Sequence, residues 1–231
     1  MRYSGISLFI PCFEKEAKRN IYMTIKVLTI DSKLRANLVN KPLLNLKSGE
    51  YEFETSKVYA LVGAADSGGY ALSCLLSGQA ALGKNEVRVD GSLINRHQLN
   101  KLSCFIGNGQ QGIFKKNLTV KRQMIGALDE NENWQSYDYI AEKFGLTEQR
   151  ADRRLAYTGN EHWRASIAIA YAARKRIYCS PFIDADLWDK YLQLHLERWI
   201  RMLREEDNVV LLPDNEKSSF IDLADEFIHF D

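Results

Sequence analysis

Two glycines five residues apart, Gly63 and Gly68, are the part of this sequence best placed to do chemistry. They bracket the stretch Gly63-Ala-Ala-Asp-Ser-Gly-Gly69, which joins an uncharged β-favouring run, Val58 to Val62, to an apolar run, Tyr70 to Leu76. A strand, a glycine-rich turn and a helix in that order gather backbone N–H groups at a helix N-terminus, which is how a loop cradles phosphate. Such a loop also places lysine and then serine or threonine directly after the second glycine. The ammonium offsets phosphate charge and the hydroxyl holds Mg2+. Here those positions are Gly69 and Tyr70. The frame of Gly63, Ser67 and Gly68 is kept while the charge and the metal ligand are absent. On this motif by itself, a strand-to-helix turn in an unrelated α/β domain is the simpler reading.

Little else in the composition offers chemistry. The cysteines Cys12, Cys74, Cys104 and Cys179 fall at wide spacings, without the close pairs of a metal site, so no metal ligand set is expected. Cys74, Cys104 and Cys179 lie in apolar runs, which points to reduced, buried thiols and a cytosolic protein. The histidines His97, His162, His195 and His229 are isolated, and a structural or surface role is the default for each. A formal charge of +1 gives no global field for nucleic acid or anionic lipid. The basic clusters Lys115-Lys116, Arg153-Arg154 and Arg174-Lys175-Arg176 are short and scattered, and read as solvated surface. No apolar run reaches the roughly 18 residues of a membrane span, and Ile6 to Ile10 makes a poor signal peptide because its charged flank lies on the wrong side.

The elements that must position the glycine turn follow from patterning. Tyr22 to Ile30 alternates as a strand, Pro42 to Leu46 is a short apolar segment, and Tyr51 to Glu54 alternates as an edge strand after the turn at Lys47 to Glu50. Ser77 to Asn85 reads as loop, Glu86 to Gly91 as a strand and turn, and Leu102 to Ile106 as a strand leading into the glycine-rich Gly107 to Gly112. Asn117 to Gln149 is helical, with Leu118, Val120, Met124 and Leu128 on one apolar face and Tyr139, Ile140 and Phe144 on another; Gly145 ends the second helix. Glu161 to Arg174 is a helix, Ile177 to Cys179 a buried strand, and Leu187 to Arg204 a long amphipathic helix. Asn208 to Leu212 is nearly all apolar, as in a covered parallel sheet; Lys217 to Ala224 is helical and Glu226 to Phe230 a closing strand. Strands first, then strands alternating with helices, give an α/β protein with a helical insertion and no internal repeat.

This order of elements and motifs resembles the nucleotide-binding domain of ABC transporters. That domain is an ATP-binding cassette with a P-loop NTPase-like (RecA-like) core, an antiparallel β subdomain and a helical subdomain. The resemblance runs from about Met23 to Asp231, with residues 1–22 as an N-terminal appendage and the helical subdomain at about 117–160. It implies that Gly63 to Tyr70 is the phosphate loop. Counting back from Asn117-Leu-Thr-Val120, it places the family's metal-sensing glutamine at Gln110, with Gln111 one residue away; an ordinary loop glutamine is an equal alternative. The family's signature, usually L-S-G-G-Q, falls on Tyr157-Thr-Gly-Asn-Glu161. Thr158 keeps a hydroxyl, Gly159 a glycine, and Asn160 stands for the second glycine as a residue that tolerates positive φ. A helix N-terminus capped by Thr158 or Asn160 is compatible with this. The second acidic motif falls on Arg176 to Pro181, with Cys179 at the metal-binding aspartate and Ser180 at the catalytic glutamate. The next loop becomes Ile183 to Asp186, keeping Asp186, and the switch histidine falls on Asn215. No aromatic residue stands between Ile30 and Pro42 to stack on adenine.

The resemblance therefore implies a cassette without catalytic residues: no lysine, no magnesium ligands, no general base and no switch histidine. Hydrolysis of a phosphate ester depends on positioning and charge neutralisation, and Lys57 and Lys84, the nearest lysines in sequence, read as surface. Tyr70 is expected to fill the space where phosphates would sit. No resident cofactor is expected, with ATP and Mg2+ entering only if the altered site still binds them. Cassettes of the family pair head to tail, so the implied partners are a second, competent cassette, in a heterodimer before a homodimer, and a membrane-spanning subunit. Nucleic acid is not among them. The implied location is cytoplasmic, peripheral on the inner face of the membrane through a partner. A soluble regulatory module on the same fold, and an active ATPase with unusual ligands, stay open as alternatives.

Overall fold

Alternation of buried and exposed side chains builds the first sheet. The structure, a computed structural model, describes residues 22–38, 43–109, 117–131, 135–183, 193–215 and 220–230. Strand β1 (Thr24–Thr29) buries Ile25, Val27 and Thr29 and turns Lys26 and Leu28 outward. It pairs antiparallel with β4 (Gly49–Glu54) on one side and β6 (Glu86–Val89) on the other. The short β7 (Ser92–Ile94) completes the order β4-β1-β6-β7, so β4 is an edge strand as its pattern predicts. A two-stranded ribbon of β2 (Ser32–Arg35) and β3 (Leu43–Leu46) lies alongside; β2 was not legible in the sequence.

The second sheet is parallel throughout and carries the site. Its order is β11-β5-β10-β9-β8, with β5 (Lys57–Val62), β8 (Ser103–Phe105), β9 (Ile177–Cys179), β10 (Val209–Asp214) and β11 (Glu226–His229). Every residue of β10 is buried, because helices or the first sheet cover both faces. Tyr59, Leu61, Val209 and Leu211 face one core, shared with β1, β4, β6 and helix α1 (Gly68–Leu76). Val58, Ala60, Val210 and Leu212 face a second core, shared with the remaining long helices.

Those helices follow their apolar stripes. They are α3 (Val120–Glu130), α4 (Tyr137–Lys143), α5 (Glu148–Ala151), α6 (His162–Ala172) and α7 (Gln193–Glu205). Ser136 and Thr119 cap α4 and α3 through their hydroxyls, and Gly145 ends the α4 turn with φ +58°. Phe144 packs between Tyr171 of α6, edge-on, and Trp199 of α7, tilted, joining three helices. Tyr139, expected on the buried face with Ile140 and Phe144, is instead exposed over the Lys143 ammonium. Helix α2 (Arg96–Leu102) has no counterpart among the elements expected from the sequence. Its signal is the capping box of Asn95 and Gln98, three residues apart, each side chain bonded to the other's backbone N–H. The helix expected over Lys217 to Ala224 begins outside the described residues, and its described part, Phe220–Leu223, is turn.

Candidate functional site

The carboxyl ends of the parallel strands meet at one edge, the usual place for a ligand in an open α/β sheet. The glycine turn leaves β5 there, as predicted. Gly63 donates its N–H to the Asp214 carbonyl at the end of β10 (2.8 Å), and Ser67 N–H turns back to the Ala64 carbonyl (2.8 Å). Ala64, Ala65 and Asp66 are exposed, while Gly68 and Gly69 are buried as α1 begins. The Asp66 carbonyl accepts from Asn45 N–H (3.2 Å), which fixes the turn to β3. Ser67 Oγ is buried and has no hydrogen-bond partner among the described residues.

Tyr70 does not reach back over the turn. Its ring packs toward Phe182 (centroids 6.0 Å apart), and its hydroxyl is hydrogen-bonded to Cys74 one helical turn on. Burial, then the neighbouring Cys74 thiol, pushes the Tyr70 phenol well up. The ring that does lie against Gly68 and Gly69 belongs to Phe230, just beyond β11, whose carbonyl and Cβ also approach Gly63. Sequence reading did not single it out, since nothing local marks it; only the parallel pairing of β11 with β5 carries it there.

Cys179 and Ser180 end β9 two strands away from β5. Both are fully buried. Burial raises the Cys179 thiol well above its ordinary range. Ser180 gives its N–H to the Leu211 carbonyl (2.9 Å) and its hydroxyl to the Pro181 carbonyl (3.0 Å), and its own carbonyl accepts from the Ser73 hydroxyl on α1 (2.8 Å). The edge thus gathers the glycine turn, Cys179, Ser180 and Asn215. Asn215 is exposed directly after β10, its N–H bonded to the Asp214 carboxylate (2.6 Å). Asp214 itself, completely buried beside Gly63, is a second residue that the sequence reading passed over. Gln110 and Asp186 lie outside the described residues. Lys57 sits at the opposite end of β5, paired with Glu54 (2.7 Å) and Glu226 (2.6 Å), and Lys84 is exposed.

Thr158 to Glu161 are held in a separate neighbourhood. They form a tight 3-10 turn entering α6. The positive φ falls on Gly159 (+61°), beneath the Arg150 guanidinium, and Asn160 does not need the left-handed conformation expected of it. Neither Thr158 nor Asn160 caps the helix. The Thr158 hydroxyl instead bonds the Leu155 carbonyl (2.7 Å) and is buried. Glu161, also buried, accepts from Thr147 N–H (3.2 Å) and Oγ1 (3.0 Å) and pairs with Arg164 (2.9 Å). Tyr157 and Asn160 are exposed on the outer side of this turn. Between β8, α2 and the ends of α3 and α6 lies a cavity of about 450 Å3, lined among others by His97, Asn108, Gly109, Asn131 and Lys175.

No protein-family model matches the sequence, and no curated protein does. Solved structures do match in fold. The ATP-binding cassette MJ0796, in its dimeric post-hydrolysis state bound to ADP and Pi, superposes with a TM-score of 0.62 at 14% identity, over 89% of this chain and 94% of that one. A second dimeric structure of MJ0796, a bacterial ABC transporter cassette, gives 0.62 at 15% over the same shares. CbiO1 from Clostridium perfringens, part of the ABC transporter complex cbiONQ, gives 0.62 at 15% over 89% of this chain and 84% of its own. The chain has the fold of an ABC transporter ATP-binding cassette.

Proposed function

We propose that this chain is a cassette subunit of an ABC transport system that does not hydrolyse ATP and acts as a structural or regulatory partner of a competent cassette and a membrane subunit. One observation carries the reading. The three positions that the resemblance assigns to the magnesium hydroxyl, the metal-binding carboxylate and the general base hold Tyr70, half-buried and turned toward Phe182, and Cys179 and Ser180, both fully buried. Mg2+ demands hard oxygen ligands in octahedral array, and a neutral phenol and a buried thiol do not fit it. Asp66, exposed on the turn, and Asp214, buried beside Gly63, are carboxylates at this edge, but neither stands at a position that the resemblance assigns to the metal ligand or the general base. No step of hydrolysis is therefore assigned to this chain's own turn.

The other half of a head-to-tail pair is a different matter. The Thr158 to Glu161 turn is rigidly held, with Tyr157 and Asn160 outward, and this supports a role facing a partner's nucleotide. Docking on the membrane subunit is assigned, on the resemblance, to the loop around Gln110. Among the described residues no helix is long and apolar enough to cross a membrane; attachment through that partner, at the cytoplasmic face, is part of the proposal. Purified chain is expected to show no Mg2+-dependent ATPase activity above a buffer blank and to co-purify with a membrane protein. Turnover that disappears on Gln110→Ala or Asp186→Asn would overturn the inert reading, and recovery only from the soluble fraction would remove the transporter partner.

A further inference from the structure

Phe230 packs against the glycine turn where the sequence suggested a ligand. Its N–H donates to the Val62 carbonyl (2.8 Å), the last rung of the β11–β5 ladder, and its ring stacks on Tyr51 of β4 with centroids 5.4 Å apart and planes 29° from parallel. From that fixed position it touches both ends of the glycine turn. A Cβ added at Gly63 would lie 2.7 Å from the Phe230 carbonyl oxygen and 3.1 Å from its Cβ. One added at Gly68 would meet ring atoms only, at 2.5, 3.1 and 3.5 Å. One added at Gly69 would lie 3.1 Å from Cδ2 and 2.9 Å from the Leu61 carbonyl. Gly63, Gly68 and Gly69 all have φ outside the left-handed region, so backbone freedom is not what requires glycine there. Close approach is: of the ring alone at Gly68, of the Leu61 backbone and the ring at Gly69, and of the Ser67 hydroxyl and the Phe230 carbonyl at Gly63.

We propose that Phe230 is the resident occupant of the glycine turn, an autoinhibitory contact that closes the turn against polyphosphate and, with the Leu61 backbone, crowds the path of a side chain at position 69. Gly68 is then glycine for the sake of the ring, and Gly69 for the ring and the Leu61 carbonyl together. The loss of lysine and the presence of the aromatic form one packed arrangement, and restoring lysine by itself cannot restore a phosphate site. The ligand half of this rests on reading the turn as a former phosphate loop; the packing half does not.

The packing half is decided by a thermal double-mutant cycle of Gly68→Ala and Phe230→Ala. Alanine is the better helix former, so with the ring gone Gly68→Ala should leave the melting temperature unchanged or raise it. With the ring present it should lower it, by about 3 °C or more. Equal shifts in both backgrounds overturn the proposal. If Phe230→Ala does not fold, Phe230→Leu removes the planar ring atoms and is read the same way. The ligand half is tested by calorimetric titration with inorganic pyrophosphate and, separately, with ATP. Gly69→Lys combined with Phe230→Ala should bind at least ten-fold more tightly than Gly69→Lys. Equal binding by the two sinks the autoinhibitory role. Strong coupling in the cycle with no binding by the double variant instead overturns the phosphate-loop ancestry beneath it, and a nucleotide-specific gain assigns the site to the nucleotide and not to free phosphate.

Discussion

Cys179 shows how one position can change the chemistry of an edge. An aspartate at the end of β9 would bring a charge to the crevice, whereas this thiol is held neutral by burial. Cys74 and Cys104 behave alike, each pushed by burial up to about 12 from an ordinary 9.0. A thiol whose pKa rises on folding favours the native state while it keeps its proton. That advantage is complete below the unfolded value and is lost as pH climbs through the folded one. Stability should therefore be flat from neutral pH to about 9 and fall steadily above it, as denaturant titrations across that range will show. Iodoacetamide at neutral pH should leave the buried Cys74 and Cys179 unmodified until the chain is unfolded, whereas Cys104, expected to be buried, is only partly covered beside the cavity at β8 and should react first of the three. At the other candidate turn the backbone discriminates. Gly159→Ala, at φ +61°, should cost about 1 kcal/mol, while Asn160→Ala should change stability by less than about 0.5 kcal/mol, both read by urea midpoints.

Elements differ in how openly their sequences announce them. Strand β10 and helix α6 could be read from apolar run and apolar stripe, because burial on two faces or on one leaves that imprint directly. Helix α2 buries only Leu99, so its periodicity is faint and its only signature is Asn95-x-x-Gln98. Asn95→Ala should cost about 1 kcal/mol in equilibrium unfolding, since it removes the Oδ1 that accepts from Gln98 N–H. The turn into α6 teaches a similar point. Hydroxyl and amide side chains next to a helix start suggested a cap, but the preceding 3-10 turn from Leu155 to Tyr157 offers the Thr158 hydroxyl a carbonyl instead. Glu161, which the family pattern marks only as a substituted glutamine, is what ties this turn to α5, through Thr147.

The molecule as a whole is organised as two cores on one shared wall. Leu211 and Leu212 are successive residues of the central strand β10, fully buried on opposite faces, the first toward α1 and the antiparallel sheet, the second toward the helices. Leu211→Ala and Leu212→Ala should each cost about 2–5 kcal/mol. Because the wall is common, both should lower one and the same transition, with near-ultraviolet and far-ultraviolet circular dichroism superimposing on melting. Two separated transitions would mean that the cores fold independently.

What the sequence by itself determined is the frame: the parallel sheet's buried strands, the order of elements, and the glycine turn between β5 and α1. Those follow from local rules, the period of apolar residues and the tolerance of glycine, which act over a few positions and need no partner. The tertiary structure alone decided what fills the turn. Phe230 is 162 residues from Gly68 in the chain but is delivered beside it by the parallel pairing of β11 with β5, and Asp214 arrives by the pairing of β10. Strand order is set by which faces bury best against which, a property of all the elements together. For the same reason Tyr70, expected over the turn, is drawn away toward Cys74 and Phe182, where its ring finds apolar cover and its hydroxyl a partner.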